Sequence, residues 1–431
     1  MLKQKGNIKN IGTNTIMEEF TDKKHGSRFP SMVDKLNRPI DGKDVIYVRS
    51  HSTFKPNLEL YKNTNITPPA ALYDYDILKD AITKGQQEGI KFTIMDATLA
   101  IPPQTKHDKG VAFGYPYWAV VDDEFKCVRI DGKYISGVES KSCPNNPNVR
   151  EYIKARIRDI VEHYPEIDAF YFDHLEFPTY TFEDNFSCFC EHCMKEAERK
   201  GVNLKEIKEK LYPYYEKIEH LTEQQLNELL SHEAFIELSH FKWECIKDIA
   251  LETRETIKDA SNNKIKFGIT GFTPAFSLFG SRNYEKIGDF CDIVLPKFYP
   301  EHWTVVLSLW IKKLCSNNSL MTEKQALRVI YKHLGWDGQE NLPADASKIN
   351  ADEKKLLPMS LVDFEAKRAI KLVNGKAEIR PTIHGWGSLE NWQKKIEIIT
   401  KNKIGAYIWG LFHINDEQME IIRQATLANK G

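Results

Sequence analysis

Short apolar runs alternate along this chain with longer stretches that have the periodicity of amphipathic helices. The apolar runs predict strands buried on both faces, as in parallel sheets that are covered by helices. Seven strands are predicted, at residues 13–18, 92–95, 169–172, 265–269, 293–295, 379–383 and 406–409. Helices are predicted at residues 76–88, 149–163, 305–315, 389–400 and 417–427, with a long pair within residues 191–258. The alternation predicts an α/β fold, a (β/α)8 TIM barrel.

The sequence pattern does not assign the eighth strand of this barrel, which would lie in the N-terminal part of the chain. Residues 45–48 could supply the eighth strand, although no helix is evident between them and residues 13–18. Alternatively the N-terminal βα unit is incomplete, because residues 3–11 have the pattern of a helix whose strand is missing. Barrels with insertions can exceed about 400 residues, so we expect the 431 residues to form a single domain, 1–431.

Two long connections follow predicted strands at their carboxyl ends, where barrel enzymes place their active sites. Residues 97–146 contain Trp118 and a predicted hairpin around residues 120–134, and residues 175–193 contain a cluster of cysteines. We expect both loops to cover the active-site face. Residues 335–351 are polar and predict a mobile surface loop.

Charge and hydropathy disfavour several classes of partner. The formal net charge is −1, which gives no overall attraction to nucleic acid or to an anionic membrane. No apolar run approaches the roughly 20 residues of a membrane span, and residues 1–6 lack the apolar core of a signal peptide. We therefore expect a cytoplasmic protein, while a homo-oligomer stays open.

Three of the eight cysteines, Cys188, Cys190 and Cys193, have a spacing typical of metal ligation in a reducing compartment. A tetrahedral zinc site needs one further ligand. Cys143 precedes the predicted helix before strand 169–172, so the chain returns it to the same barrel end; His192 is the alternative. Four protein ligands make such a zinc structural, and no organic cofactor is expected. The remaining cysteines are predicted to be ordinary buried residues: Cys127, Cys245, Cys291 and Cys315.

The segment between residues 82 and 196 resembles part of a known enzyme family. It contains Cys143-Pro-Asn-Asn-Pro-Asn-Val-Arg150, a helix, the run Tyr171-Phe-Asp-His-Leu-Glu176 and then Cys188-x-Cys190-x-x-Cys193. This order is similar to the zinc-containing β-galactosidases of glycoside hydrolase family forty-two and to related hypothetical glycosyl hydrolases. The resemblance implies zinc bound by the four cysteines, and an acid/base carboxylate at the end of the fourth strand.

The chain departs from that family at both catalytic positions. Where the family has an Asp-Asn-Glu run, this sequence has Asp173-His174-Leu175-Glu176, so either carboxylate can hold the acid role. In the family the seventh strand delivers a nucleophilic glutamate, whereas residues 379–387 contain no carboxylate.

Glycosidic cleavage needs one carboxylic acid to protonate the leaving oxygen and a second group that acts as nucleophile or activates water. We predict Glu176 as the acid, because the apolar residues beside it would raise its pKa. Asp173 is predicted to be the orienting group or base, with His174 beside it. The second group of an inverting mechanism would be Asp96 or Glu19.

Sugar sites combine flat aromatic side chains with polar groups that orient the ring. Candidate substrate-binding residues lie at or after predicted strands: Arg49, His51, Trp118, Lys297, Tyr299, Glu301, His384, Trp386 and Trp409. Cations such as Arg49 and Lys297 would suit a uronic or sialic acid. The sequence thus predicts a glycoside hydrolase acting on a carbohydrate. The alternatives are a catalytically silent carbohydrate-binding barrel, a hydrolase for acidic sugars of the sialidase type, and a zinc hydrolase, which the lack of a His-x-His pair disfavours.

Overall fold

The computed structural model describes residues 15–17, 51–52, 54–68, 70–71, 76–87, 91–96, 99, 101, 123–135, 141–349, 355–384, 388–409 and 415–428. The strands in these ranges are β1 (Thr15–Met17), β2 (His51–Ser52), β3 (Ala70–Ala71), β4 (Lys91–Asp96), β5 (Ala169–Phe172), β6 (Lys266–Gly271), β7 (Ile293–Pro296), β8 (Glu378–Ile379), β9 (Thr382–His384) and β10 (Tyr407–Trp409).

The helices in the same ranges are α1 (Ile77–Gln87), α2 (Pro147–His163), α3 (Glu191–Arg199), α4 (Leu204–Glu216), α5 (Glu223–Ser231), α6 (Glu233–Ser261), α7 (Tyr284–Ile287), α8 (Pro300–Cys315), α9 (Glu323–Leu334), α10 (Met359–Val373), α11 (Leu389–Lys401) and α12 (Asp416–Ala428). None of the helices in the described part of the chain is both long and apolar enough to cross a membrane.

The strands pair in parallel and in chain order. One sheet has the order β1-β4-β5-β6-β7-β8, and β9 pairs with β10. β8 and β9 are two parts of one strand, interrupted at Arg380 and Pro381, because Lys297 after β7 pairs in parallel with Thr382. Open doubly wound sheets reverse their strand order, whereas barrels do not. The order therefore has the pattern of a (β/α) barrel.

Aspartates at the amino ends of two strands hold the neighbouring strand in register. Asp168 precedes β5 and accepts a hydrogen bond from the backbone N–H of Phe92 at 3.0 Å. Asp292 precedes β7 and accepts one from the N–H of Phe267 at 2.8 Å. Each carboxylate satisfies a donor at the end of the ladder, where the adjacent strand supplies no carbonyl.

Gly271, at the carboxyl end of β6, leaves room for the guanidinium of Arg282. A Cβ at this position would overlap that guanidinium, so only glycine lets the arginine cross the strand end. The guanidinium donates hydrogen bonds to the carbonyls of Thr270 and Leu175. Arg282 thereby connects β6 to the loop that follows β5.

The loop after β5 is fastened by aromatic packing. Trp310 of α8 is fully buried and its indole N–H donates to the carbonyl of Thr179 at 3.0 Å. Its ring meets Phe182 edge to face at 5.7 Å. Edge-to-face pairs favour defined ring positions, so this loop has a fixed course.

The structure confirms the seven predicted strands, with the sixth interrupted at Pro381. The long helical pair is instead four helices, α3 to α6, and the sequence analysis does not predict α7, α9 or α10. The prediction of an exposed surface loop at residues 335–351 is wrong at Trp336. This side chain is fully buried, and its indole N–H donates a hydrogen bond to the Glu365 carboxylate at 3.0 Å. The eighth-strand candidate 45–48 and residues 3–11 lie outside the described residues.

Candidate active site and metal centre

Three neighbouring strands bring polar side chains together at their carboxyl ends. Asp173 directly follows β5, Thr270 lies near the end of β6, and Lys297 directly follows β7. The Lys297 ammonium is 3.4 Å from Asp173 Oδ1, and the hydroxyl of Thr270 donates to the same carboxylate. All three side chains are buried. The arrangement is a buried carboxylate held by a cation and a hydroxyl at the edge where barrels place their chemistry.

The carboxylate of Asp173 is ionised at neutral pH. Burial alone would raise its pKa, but His174, Lys297 and Thr270 outweigh burial and lower the pKa to about 2. A carboxylate in this state can act as a base or nucleophile, or it can stabilise positive charge that develops in a transition state.

His174 lies between the two carboxylates of the predicted catalytic pair. Its Nε2 is 3.5 Å from Asp173 Oδ2, and its Nδ1 is 3.4 Å from Glu176 Oε1. Burial lowers the pKa of His174, whereas the charge of Asp173 acts to raise it. Its backbone is in the left-handed region, at φ 53°, which is uncommon outside glycine and is concentrated at functional sites.

Glu176 is fully buried among cations and donors. Its Oε1 is 3.3 Å from the Lys141 ammonium, and its Oε2 is 3.4 Å from the Arg282 guanidinium. The backbone N–H of Phe272 also donates to Oε2, at 3.3 Å. Two cationic side chains and one backbone donor thus converge on one carboxylate.

The predicted direction of the Glu176 pKa shift is wrong. We predicted that apolar neighbours raise its pKa; burial does act in that direction, but Lys141, His174, Lys297 and Arg282 hold the pKa well below its usual range. Leu175 and Phe177 are its neighbours in sequence, whereas its neighbours in space are charged. A general acid must be protonated near neutral pH, and this environment opposes protonation.

The structure adds His302 and Tyr180 to this cluster, and sequence reasoning missed both. His302 Nε2 bonds with the Tyr180 hydroxyl, and its ring stacks on Phe272 at 5.0 Å. Burial lowers the pKa of His302 to about 3, and the charges of His174, Glu176, Lys141 and Asp173 also act on this pKa. The only signal in the sequence was its place in the run that follows β7.

Two other predicted carboxylates have cationic partners. Asp96, the last residue of β4, is 2.9 Å from Arg156 Nε. Glu301, in the first turn of α8, is 2.7 Å from the Lys395 ammonium of α11, and both side chains are almost fully buried. The Glu301 contact therefore joins two helices.

Tyr299 and His384 lie on neighbouring strand ends, with their rings edge to face at 5.8 Å, and both are buried. Trp409 pairs in register with His384 across β9 and β10, and His51 is part of β2. Four predicted site residues lie outside the described residues: Glu19, Arg49, Trp118 and Trp386.

The sulfurs of Cys143, Cys188, Cys190 and Cys193 converge, as predicted, with all four within 4.8 Å of one another. Cys143 Sγ is 3.4 Å from the sulfurs of both Cys190 and Cys193. A tetrahedral zinc with about 2.3 Å bonds to sulfur would place its ligands about 3.8 Å apart. The cluster can hold a metal ion, and His192 is not part of it.

Donors around the sulfurs also suit thiolate ligands. The backbone N–H of Val128 donates to Cys188 Sγ at 3.3 Å, and that of Asn145 donates to Cys143 Sγ at 3.4 Å. The Asn145 side chain donates to Cys193 and Cys245, at 3.3 and 3.1 Å. Hydrogen bonds of this kind orient metal ligands. Cys245, expected to be an ordinary buried residue, thus adjoins the cluster.

One short stretch of chain connects the four-cysteine cluster to the carboxylates. Lys141 and Cys143 are two residues apart; the first pairs with Glu176 and the second belongs to the cluster. The Lys141 carbonyl accepts from the N–H of Cys127 at 3.0 Å, and the N–H of Cys143 donates to the Phe125 carbonyl at 2.7 Å. These bonds fix Lys141 in position beside Glu176.

The architecture is similar to that of two solved enzyme structures. The catalytic domain of a beta-amylase from Paenibacillus polymyxa matches with 12% identity and a TM-score of 0.53, covering 99% of this chain and 93% of that one. A beta-galactosidase from the psychrophilic Marinomonas ef1 matches with 10% identity and a TM-score of 0.50. That match covers all of this chain, which spans 56% of the galactosidase.

Together with the parallel strand order, these likenesses show a TIM-barrel fold of the kind found in glycosidases. No family model matches the sequence, and no curated protein matches it. The likeness is one of fold, and it does not by itself identify glycoside hydrolase family forty-two.

Proposed function

We propose that this protein is a glycoside hydrolase in which Asp173 is the ionised catalytic carboxylate. The observation that carries the proposal is the position of Asp173 at the carboxyl end of β5, where Lys297 and Thr270 hold its charge. Barrel enzymes place their reacting groups at this edge. The substrate is a carbohydrate, in keeping with the activities named for both structural neighbours.

The roles follow from the charge states. Asp173 takes the part of the base or nucleophile, because its pKa is about 2. Glu176 serves as a positioning residue, since its pKa is also lowered and its oxygens are occupied by Lys141 and Arg282. In the inverting mechanism that we propose, Asp173 is the base that activates the attacking water, and Asp96 or Glu19 is the partner group that protonates the leaving oxygen.

The proposal also assigns zinc to the four-cysteine cluster. Four thiolates in a tetrahedron are a ligand set typical of structural zinc, and they leave no open position for catalysis. The metal would therefore hold the loop after β5 in place. Thiolate ligands need a reducing environment, which agrees with the cytoplasmic location that we propose.

The test is a panel of aryl glycosides that includes neutral and acidic sugars. Asp173→Asn should lower kcat by about 10²- to 10⁴-fold, the usual contribution of a positioned acid or base. Asp168→Asn is the matched control, because Asp168 precedes the same strand at the opposite end of the barrel and should tolerate the change. Equal turnover in the two variants would contradict the role of Asp173.

A carbohydrate-binding barrel without catalysis is the second candidate. The observation that favours it is that Asp173 and Glu176 both have lowered pKa values, so neither is suited to donate a proton. Calorimetric titration of the same sugars would separate the two functions. A binding protein retains its ligand and turns over none of the panel, whereas the enzyme hydrolyses at least one glycoside and releases one defined anomer first.

A further inference from the structure

Close to the four-cysteine cluster, a buried lysine has no carboxylate partner among the residues that the structure describes. Lys242 is in the middle of α6, and its side chain is 1% exposed. Its ammonium donates to the carbonyl of Asn185 at 3.0 Å. The titratable groups that act on it are the thiols of Cys127 and Cys188, which would raise its pKa only as thiolates, and no carboxylate of the described residues forms an ion pair with it.

A buried ammonium without a counter-charge is costly, because the protein interior solvates it poorly. The other two lysines near the cysteines have carboxylate partners. Lys141 pairs with Glu176 at 3.3 Å, and Lys200 pairs with Asp248 at 2.6 Å. Lys242 is therefore the exception among these three lysines. We look for its negative partner in the four-cysteine cluster.

The charge of a loaded cluster supplies that anion. Four thiolates around one divalent ion carry a net charge of −2, and three of the four cysteines that would carry it are buried. Helix α6 also contributes Cys245, one turn after Lys242, and Asn145 joins this thiol to Cys193. The helix thus approaches the cluster through two residues, one of them cationic.

We propose that Lys242 is the internal counter-charge of the metal centre, a positioning residue that stabilises the thiolate-bound ion without ligating it. This inference rests on the metal site proposed above. Because Lys242 also donates a hydrogen bond to the Asn185 carbonyl, the same side chain contacts the loop after β5 and balances the charge of the metal centre. Removing the charge should weaken metal binding, whereas keeping it on a different side chain should preserve most of the binding.

The experiment uses the full chain loaded with zinc. In Lys242→Met, zinc extraction by a chromogenic chelator should show an affinity about 10- to 100-fold lower than in the wild type, the usual effect of groups that support metal ligands. Lys242→Arg should recover most of the affinity. Lys200→Met is the matched control, since that lysine is near the cysteines but is balanced by Asp248.

Thermal unfolding separates this role from simple packing. Lys242→Met should lower the Tm of the zinc-loaded protein and leave unchanged or raise the Tm of the stripped protein, which no longer buries an unbalanced cation. Equal losses in both forms, or unchanged zinc affinity, would overturn the proposal. If the stripped chain does not fold, the ratio of zinc release rates between Lys242→Met and Lys242→Arg decides alone. Wild-type protein purified without metal, and unable to bind added zinc, would refute the metal site itself.

Discussion

Replacing Glu176 with glutamine tests whether this residue is a structural anchor or a proton donor. The variant keeps the size of the side chain and an oxygen that can accept from the Phe272 N–H at 3.3 Å. It removes the negative charge that lies 3.3 Å from Lys141 and 3.4 Å from Arg282. Both cations are almost fully buried, with side chains 1% and 2% exposed, so water cannot replace the lost partner.

The size of the effect follows from these contacts. Breaking a buried ion pair by removing one partner typically costs about 3–5 kcal/mol. Arg282 keeps its hydrogen bonds to the carbonyls of Leu175 and Thr270, which places the loss at the lower end. We expect Glu176→Gln to lower the free energy of unfolding by about 3 kcal/mol at pH 7. The double variant Glu176→Gln/Lys141→Met should recover part of this loss, because it removes both charges.

The pH dependence gives an independent reading. The folded state holds the pKa of Glu176 well below 4.5, so its stabilisation is complete above about pH 4.5 and is lost as the pH falls through the lower folded value. Glu176→Gln should therefore lose stability less steeply on acidification than the wild type. Urea titrations between pH 2.5 and 7 measure both effects, with Asp168→Asn as the control.

One result would refute this reasoning. If Glu176→Gln unfolds at the wild-type urea concentration and keeps the wild-type acid dependence, the ion pairs contribute nothing. Loss of turnover in such a stable variant would restore Glu176 as the catalytic acid.

Two further changes test other buried charges. Burial raises the pKa of Asp184 to about 6, so its carboxylate destabilises the folded state as the pH rises from about 4 to 6. Asp184→Asn should therefore make stability depend less on pH in this range. At pH 7.5 it should add up to about 3 kcal/mol to the free energy of unfolding, measured by urea unfolding. Lys395→Met leaves Glu301 buried without its partner and should cost about 3–5 kcal/mol, against less than about 1 kcal/mol for the exposed neighbour Lys394→Met. Equal losses in the two lysine variants would contradict the structural role of the Glu301 pair.

The strands were predictable because local pattern decides them. The run Ala169–Phe172 is apolar at every position, and all four of its residues are buried in the sheet. Helix α9 could also have been found, since Thr322 and Gln325 form a capping box whose spacing is visible in the sequence. Helix α10 begins after Pro358 without a side-chain cap, so its start carried no comparable signal.

The site was predictable only where its residues are close in sequence. The spacing of Cys188, Cys190 and Cys193 predicts their cluster, and the two carboxylates Asp173 and Glu176 follow an apolar run that predicts a strand. The partners that set the charge of Glu176 are 35 and 106 residues away, at Lys141 and Arg282. Sequence neighbours could not reveal this environment, which is why the expected direction of the Glu176 pKa was wrong.

The missing side chain at Gly271 has a consequence for anyone who redesigns this barrel. The guanidinium of Arg282 fills the volume that any other residue would need there. Positions 271 and 282 must therefore be varied as one unit, with a smaller residue at 282 whenever 271 gains a side chain. Such a paired change would also empty one side of the Glu176 carboxylate, and so would open a new compartment at the mouth of the barrel.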